Sequence, residues 1–100
     1  MSDRGEPWKL DQFSERLDVW IEVCDPSPRL RRVVRTWVLT RFDNPYEGVR
    51  QAPGFDNLWS GKVPNSEDGI GNAVLCAYFI ETATHTLRCD QFATLREPFL

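Results

Sequence analysis

The strongest pattern of hydrophobic and polar positions lies in residues 73–95, AVLCAYFIETATHTLRCDQFATL. Two runs rich in apolar side chains flank a polar centre, and in a β-strand every second side chain lies on the same face. One face of the first run is wholly apolar and consists of Val74, Cys76, Tyr78 and Ile80. The pattern predicts two strands, at 73–81 and 86–95, that fold back on each other as a hairpin.

Folding this hairpin about Thr82 and Ala83 decides which side chains share a face. It pairs Cys76 with Cys89 and brings Leu87 to the same apolar face, which we expect to be the core side. The opposite face mixes aromatic and charged side chains, namely Phe79, Arg88, Asp90 and Phe92. Such a mixture favours a half-solvated binding surface. Thr-Ala is an unfavourable two-residue hairpin loop, so a longer loop stays open as an alternative.

Helical spacing replaces strand alternation in the first third of the chain. Apolar residues recur there at intervals of three and four, at Leu17, Trp20, Ile21 and Cys24. Ser14 is a favourable N-cap, and Glu15 lies in the first turn, where the helix dipole favours an acid. We therefore predict a helix at 14–25 with an acidic outer face.

A second helix is predicted at 28–42. Ser27 as the N-cap with Pro28 at the first helical position is a strong start signal. An apolar stripe follows, formed by Leu30, Val33, Val34, Trp37 and Val38, and it predicts that Trp37 lies in the core. Five of the twelve basic residues lie on the rest of this helix: Arg29, Arg31, Arg32, Arg35 and Arg41. They indicate either a salt-bridged helix surface or a partner-binding face, for which Arg31 and Arg35 are the candidates.

The remaining segments complete one small domain. Residues 43–72 are rich in turn-forming pairs, with one predicted strand at 55–63 and a polar loop at 66–72 that we expect to be mobile. Residues 8–13 predict a short edge strand or the run-in to the first helix. The pattern predicts an α+β fold in which an α-hairpin packs on a three- or four-stranded antiparallel sheet. We expect a flexible N-terminus at 1–7 and a single domain at 8–100.

Composition narrows the class of protein. A net charge of −3 argues against a general nucleic-acid coat. Three cysteines without a Cys-x-x-Cys pair indicate buried thiols in a reducing cytoplasm, not disulfides or a zinc site. No stretch approaches the roughly 20 apolar residues of a membrane span. Gly69-Ile70-Gly71-Asn72 does not lie between a strand and a helix, so it predicts no phosphate loop, and we expect no cofactor.

Several local strings resemble the RelE/ParE toxin superfamily, especially its YoeB-like branch. Lys9-Leu10 followed by Phe13-Ser14-Glu15 resembles the entry from strand to helix in these toxins. Asn44-Pro45-Tyr46-Glu47-Gly48 resembles the turn after their second helix. Leu58-Trp59-Ser60 with Lys62 resembles their first meander strand. The resemblance covers about residues 9–95 and implies a short first strand, an α-hairpin and a final meander. The loop at 66–72 is then an insertion.

The resemblance also implies a function. Members act as mRNA endonucleases in the ribosomal A site or, in ParE-like members, as DNA gyrase inhibitors, and an antitoxin partner masks their working face. Arg88 resembles the late-strand arginine of the nucleases, and Lys62 resembles the basic residues of the first meander strand. Arg50, just after the turn, is a further candidate for the same cleft. These cations would stabilise charge on a scissile phosphate.

The groups that move protons in those nucleases have no match here. Their glutamate follows the turn, where this chain has Val49-Arg50-Gln51-Ala52-Pro53, and their C-terminal tyrosine is replaced within Gln91-Phe92-Ala93-Thr94. The sole histidine, His85, lies in the predicted hairpin turn, and Tyr78 lies on the apolar face. Two hypotheses remain. The first is a toxin-like protein, or a non-catalytic relative, that binds a macromolecular partner. The second is a ribosome-dependent mRNA endonuclease that uses Lys62 and Arg88 with an atypical acid–base set.

Overall fold

Two helices pack on one face of a five-stranded sheet in the computed structural model, which describes residues 6–97. The elements in chain order are β1 (Lys9–Asp11), α1 (Phe13–Cys24), α2 (Pro28–Thr40), β2 (Arg50–Gln51), β3 (Leu58–Lys62), β4 (Asn72–Glu81) and β5 (Thr86–Arg96). Of the N-terminal segment predicted to be flexible, residues 1–5 lie outside the described part of the chain. Residues 98–100 of the predicted domain also lie outside it.

The sheet has the order β1-β5-β4-β3-β2. β1 runs parallel to β5, and all other neighbours are antiparallel. The predicted α+β class, both helices and the hairpin are confirmed, and the strand predicted at 55–63 is shorter than expected. The sheet has one strand more than the three or four antiparallel strands predicted, and β1 is parallel to its neighbour. The additional strand is β2, whose two residues pair with Ser60 and Trp59 of β3. A strand of two residues is too short to produce an alternating pattern in the sequence.

The start of α1 differs from the prediction. Gln12 lies at the N-cap with φ 68°, a left-handed conformation, and its side chain makes no capping hydrogen bond. Only this residue separates the end of β1 from Phe13, so the chain must reverse direction within it. Ser14, the predicted N-cap, therefore lies inside the helix. Cys24, placed on the apolar stripe by its spacing, is exposed at the last turn.

The start of α2 follows the local cap chemistry. Ser27 Oγ accepts a hydrogen bond from the Leu30 amide at 3.2 Å, and Pro28 occupies the first turn. Four of the five residues of the predicted apolar stripe are buried and Val33 is half-buried; Trp37 is 9% exposed. Arg41 differs from the other arginines of this region because it is buried at the C-cap, with only 2% of its surface exposed.

The pairing of β4 with β5 corrects the predicted register. The connection has four residues, 82–85, so Cys89 lies opposite Tyr78 instead of Cys76, and Cys76 lies opposite Phe92. A β-bulge at Asp90 adds one residue to β5 between the Tyr78–Cys89 and Ala77–Gln91 pairs. An extra residue reverses the face of every later side chain in its strand. Phe92, predicted on the mixed face, is therefore buried in the core.

The core fills the space between the helices and one face of β4 and β5. It contains Phe13, Leu17, Trp20, Leu30, Val34, Trp37, Val38, Val63, Val74, Cys76, Tyr78, Ile80, Leu87, Cys89 and Phe92. Trp20 Nε1 also donates a hydrogen bond to Thr94 Oγ1 at 3.0 Å, which fixes α1 on β5. Neither α1 nor α2 packs on the opposite face of the sheet. We call it the open face.

The loop at 66–72, expected to be mobile, is anchored by short-range hydrogen bonds. Ser66 is buried, and its hydroxyl donates to the Val63 carbonyl at 2.7 Å and accepts from the Val74 amide at 2.9 Å. The Asp68 carboxylate accepts from the Ile70 amide at 2.9 Å and from the Asn72 side chain at 2.8 Å. The loop therefore holds a defined position beside the end of β3.

Candidate functional site

The three cations proposed from the sequence all lie on the open face. Strand alternation and register establish this: Arg50 pairs with Ser60, Lys62 with Leu75, and Arg88 with Phe79. None of these partners belongs to the face that packs on the helices. The three cations on β2, β3 and β5 therefore project from the same face of the sheet.

Arg50 and Lys62 line one cavity at the end of this face. The cavity measures about 570 Å³, and its walls are formed by Gly48, Arg50, Ser60, Gly61, Lys62, Leu75 and Glu97. Gly61 allows the wall to form, since a Cβ there would lie 2.5 Å from the Gly48 carbonyl oxygen. Only a glycine lets the segment before β2 approach β3 this closely, and that approach positions Arg50.

Lys62 is already paired with two carboxylates of the same chain. Its Nζ lies 2.5 Å from Glu67 Oε2, in the 66–72 loop, and 3.1 Å from Glu97 Oε2, after β5. These hydrogen bonds, with Glu67 first, raise the pKa of Lys62. The hydrogen bond from Lys62 likewise lowers the pKa of Glu67. The charge of Lys62 is therefore more than balanced before any ligand binds.

Arg88 is also paired within the chain. Its Nε donates to Glu81 Oε2 at 3.1 Å, and its guanidinium carbon lies 4.5 Å from the centre of the Phe79 ring. The contact with Phe79 is a cation–π arrangement, which holds the side chain against the sheet. Both partners belong to β4, so Arg88 is fixed at the hairpin end of the open face.

The register separates Arg88 from the cavity. Lys62 is level with Leu75 and Arg88 is level with Phe79, four residues further along β4. Four residues span about 13 Å and two strand spacings about 10 Å, so the two Cα atoms lie about 16 Å apart. In the observed arrangement, in which Glu67 and Glu97 hold Lys62 and Glu81 holds Arg88, one phosphate group does not contact both side chains. The structure brings Arg50 and Lys62 together and leaves Arg88 apart.

The groups that could move a proton are differently placed. His85 stacks on Trp8 with ring centres 3.9 Å apart, and its Nε2 lies 2.7 Å from the Glu6 carbonyl oxygen. Tyr78 is buried, and its hydroxyl donates to the Pro45 carbonyl; burial raises its pKa. Neither residue reaches the cavity. The carboxylates nearest the two clustered cations are instead those of Glu67 and Glu97.

Sequence reasoning missed Glu67 and Glu97 as site residues. They lie 5 and 35 positions from Lys62 along the chain, in a loop and after the last strand. Charge complementarity with Lys62 existed in the sequence, but no spacing rule links a strand to a residue 35 positions away. Only the register of β3, β4 and β5 brings these segments together.

The arginines of α2 form a second candidate surface. Arg31 is partly used within the chain, since its Nε donates to the Pro26 carbonyl at 3.0 Å and its Nη2 lies 3.3 Å from Asp25 Oδ1. Arg35 is exposed one turn further along the helix. Beside them, α2 and the segment after β3 enclose a groove of about 480 Å³, lined by Arg29, Arg32, Val33, Thr36, Trp37, Pro64 and Asn65.

Other classes of site are not found within residues 6–97. No group of three or more histidine, cysteine, aspartate or glutamate side chains lies close enough to hold a metal ion in this part of the chain. Cys76 and Cys89 are buried, and burial raises the pKa of the Cys76 thiol well above its ordinary value. No helix in the same range is long and apolar enough to cross a membrane.

Comparison with known proteins identifies the fold. No family model and no curated protein matches the chain. Among solved structures, the chain is similar to a doubly substituted mutant of the E. coli toxin RelE in its free state, with a TM-score of 0.61 and 12% sequence identity. The match covers 87% of this chain and 82% of that chain. At this identity the similarity shows that the two proteins share a fold, as the sequence resemblance implied.

Proposed function

We propose that this chain is a toxin-like protein of the RelE fold that acts by binding a macromolecular partner. Its partners would include an antitoxin-type protein, and its target would be the ribosome with its mRNA or DNA gyrase. All three belong to the cytoplasm, which is the location we propose. The toxin named in the structural match supports the toxin-like part of this proposal.

The observation that carries the binding function is the state of the cations on the open face. Lys62 contacts Glu67 and Glu97, and Arg88 contacts Glu81. A nuclease needs preorganised positive charge where negative charge develops in the transition state. Lys62 and Arg88 are already paired with carboxylates and lie apart from each other, so of the three cations on the open face only Arg50 has no carboxylate partner within residues 6–97. One cation alone is a weak source of the field that a nuclease needs.

Growth and cleavage assays test this proposal together. Expression of the wild type in a bacterial host should slow growth, while the purified protein should leave ribosome-bound mRNA intact. Arg31→Glu combined with Arg35→Glu should relieve the growth effect and weaken capture of the partner, more strongly at low salt because salt screens exposed charges. Normal growth on expression of the wild type would argue against a toxin. Cleavage of message by the wild type, abolished by Arg88→Ala, would show that the protein is an enzyme.

A second candidate, a ribosome-dependent endonuclease, is favoured by the cavity alone. Arg50 and Lys62 line it together with Ser60, and Glu97 forms part of its wall. A phosphate at its mouth could displace the carboxylates from Lys62 and contact Arg50. A carboxylate released in this way could then accept the proton of the attacking 2′-hydroxyl.

Variants of the cavity test this second candidate. Removing one preorganised donor typically costs on the order of 10²–10³ in rate. Lys62→Ala or Arg50→Ala should therefore abolish any cleavage, whereas Lys9→Ala, an exposed cation of β1 outside the cavity, should not. Because Lys62, Arg50 and Arg88 lie at the surface, these variants should keep the unfolding free energy of the wild type to within about 0.5 kcal/mol. Equal cleavage by Lys62→Ala and the wild type would remove the cavity from the mechanism.

A further inference from the structure

We propose that the groove beside α2 binds an acidic segment of a partner protein that carries an aliphatic or aromatic anchor. The groove is the one lined by residues 29–37 of α2 and by Pro64 and Asn65, and we call it the α2 groove. The inference rests on the proposed binding function and specifies both the surface and the chemistry of the partner.

The floor of the α2 groove is apolar. Val33 is half-buried, Trp37 is almost fully buried, and Pro64 forms the opposite wall. A concave site with an apolar floor gains free energy when an apolar side chain enters and releases water. The buried position of Trp37 also means that its ring face is covered by the core, so it does not offer a stacking platform for a nucleic-acid base.

The rim of the α2 groove is cationic. Arg29 donates its guanidinium hydrogens to the Asn65 carbonyl at 3.2 Å and the Glu67 carbonyl at 2.7 Å, which are neutral acceptors. The side chains of Arg32 and of Arg35, one turn away, form no hydrogen bond or ion pair with any residue in the range 6–97. The pKa of Glu67 is lowered mainly by its hydrogen bond from Lys62 and only to a smaller extent by the charge of Arg29, so this carboxylate chiefly compensates Lys62. The rim therefore keeps positive charge available to a ligand.

The placement of these arginines is unfavourable for α2 itself. The first turn of the helix contains no acidic residue, although the positive end of the helix dipole favours acids there. Arg29 and Arg31 lie in this turn, and Arg32 follows directly. Among the acids, Asp25 pairs with Arg31 alone, and a segment that breaks a local rule with so little compensation inside the domain is commonly a functional segment. A bound carboxylate would interact favourably with both the arginines and the dipole.

Charge and shape together favour a peptide over a nucleic acid. The chain carries a net charge of −3, so its whole field does not attract a phosphate backbone. The groove is also short, since its lining spans little more than two turns of α2. It fits one anchoring side chain flanked by carboxylates, as an acidic amphipathic segment would present.

Fluorescence anisotropy with designed peptides tests the surface. The probe is a fluorescein-labelled 12-residue peptide in which leucine and glutamate follow a helical pattern. The wild type should bind it at low salt and lose affinity as salt is added. Arg32→Glu should weaken binding about tenfold, since it places a negative charge beside the bound carboxylates. Arg16→Glu is the matched control, because Arg16 is an exposed arginine of α1 outside the groove, and it should change affinity less than twofold.

Two further probes separate the contributions of charge and anchor. A peptide with serine in place of leucine should bind at least tenfold more weakly, because it cannot fill the apolar floor. A 12-nucleotide RNA should not compete with the leucine–glutamate peptide. Equal binding of the serine peptide, equal loss in Arg32→Glu and Arg16→Glu, or competition by RNA would each overturn the inference.

The peptide-binding result and the growth result test different proposals, namely the α2 groove as a binding site and the toxin-like function. Peptide binding that depends on Arg32 supports the α2 groove even when expression of the wild type leaves growth unchanged. That growth result would count against the toxin-like function alone. If the wild type arrests growth but fails to bind the peptide, the proposal that the α2 groove binds an acidic segment is wrong. The proposed toxin-like function would not be affected by that result.

Discussion

Arg41 is a buried cation that ties the end of α2 to the turn preceding β2, and we predict that its removal destabilises the fold. Its Nη1 donates to the Glu47 carbonyl at 2.8 Å and to Tyr78 Oη at 3.1 Å, and its guanidinium carbon lies 4.3 Å from the centre of the Trp37 ring. Its Nε and Nη2 both donate to Thr40 Oγ1. Through Glu47 and Gly48, this network positions the segment that carries Arg50 into the cavity wall.

The expected loss in the free energy of unfolding follows from the interactions that Arg41→Ala removes. Hydrogen bonds from a charged group contribute about 1.5–3 kcal/mol each, and a desolvated cation–π contact contributes up to about 2 kcal/mol. Part of this is offset, because burying a guanidinium without a carboxylate partner costs several kcal/mol. We expect a net loss of about 3 kcal/mol in the free energy of unfolding, as is usual for breaking a buried polar network. Arg41→Met restores the volume of the stem without the hydrogen bonds and should lose about half as much.

Urea unfolding followed by tryptophan fluorescence and far-UV circular dichroism measures this loss. Arg35→Ala is the matched control, since Arg35 is an exposed arginine of the same helix, and it should change the unfolding free energy by less than about 0.5 kcal/mol. A loss below about 1 kcal/mol in Arg41→Ala would refute the reasoning. An Arg41→Met variant as stable as the wild type would show that the hydrogen bonds make no net contribution.

Three further predictions concern the core, the thiols and the loop. Trp37→Ala should cost roughly 3–5 kcal/mol in chemical denaturation, the range for truncating a buried aromatic residue, and a loss under about 1 kcal/mol would contradict its burial. A thiol reagent should label Cys24 quickly and Cys76 and Cys89 slowly, because only Cys24 is exposed; three equal rates would contradict the strand faces. Hydrogen bonds from the Ile70 amide and then the Asn72 side chain lower the pKa of Asp68, so its contribution to stability is present above the ordinary aspartate pKa of about 3.9 and is lost as pH falls through the lower folded-state pKa. The difference in stability between wild type and Asp68→Asn should therefore vanish in acid, and a constant difference from pH 7 to pH 2 would contradict this assignment.

Local chemistry explains why much of the fold was predictable from the sequence. The cap at Ser27 and Pro28 depends only on neighbouring residues, so it was read correctly. The apolar face of β4 depends on strand alternation alone, and all of its members are buried. The start of α1 was not predictable from local chemistry. β1 ends at Asp11, so the helix begins directly after Gln12, and Ser14 lies inside the helix instead of at the N-cap.

The candidate site was less predictable because it depends on long-range register. Arg50 was proposed as a cavity residue from its position after a turn, and it does line the cavity with Lys62. The partners of Lys62 could not be found, because Glu67 and Glu97 meet it only after three strands pair. Arg41 looked like one more surface arginine, since helical spacing did not reveal that the helix ends at Thr40 and that the next residue turns inward.

The bulge at Asp90 determines which side chain of β5 lies beside Lys62 on the open face. Without the extra residue, β5 would place Phe92 opposite Leu75, on the open face beside Lys62; with it, Ala93 takes that place and Phe92 packs against the helices. The core gains an aromatic side chain that contacts Phe13, with ring centres 6.3 Å apart. The open face receives the Ala93 methyl group beside Lys62, which carries neither charge nor a proton donor. The charged side chains of the cavity are therefore Arg50, Lys62 and Glu97, and Lys62 is already paired with Glu67 and Glu97. Within residues 6–97, Arg32 and Arg35 lie close together on α2 without a side-chain partner, whereas Arg16 and Arg50 lie on different elements, α1 and β2. For that reason we propose α2 as the partner-binding surface.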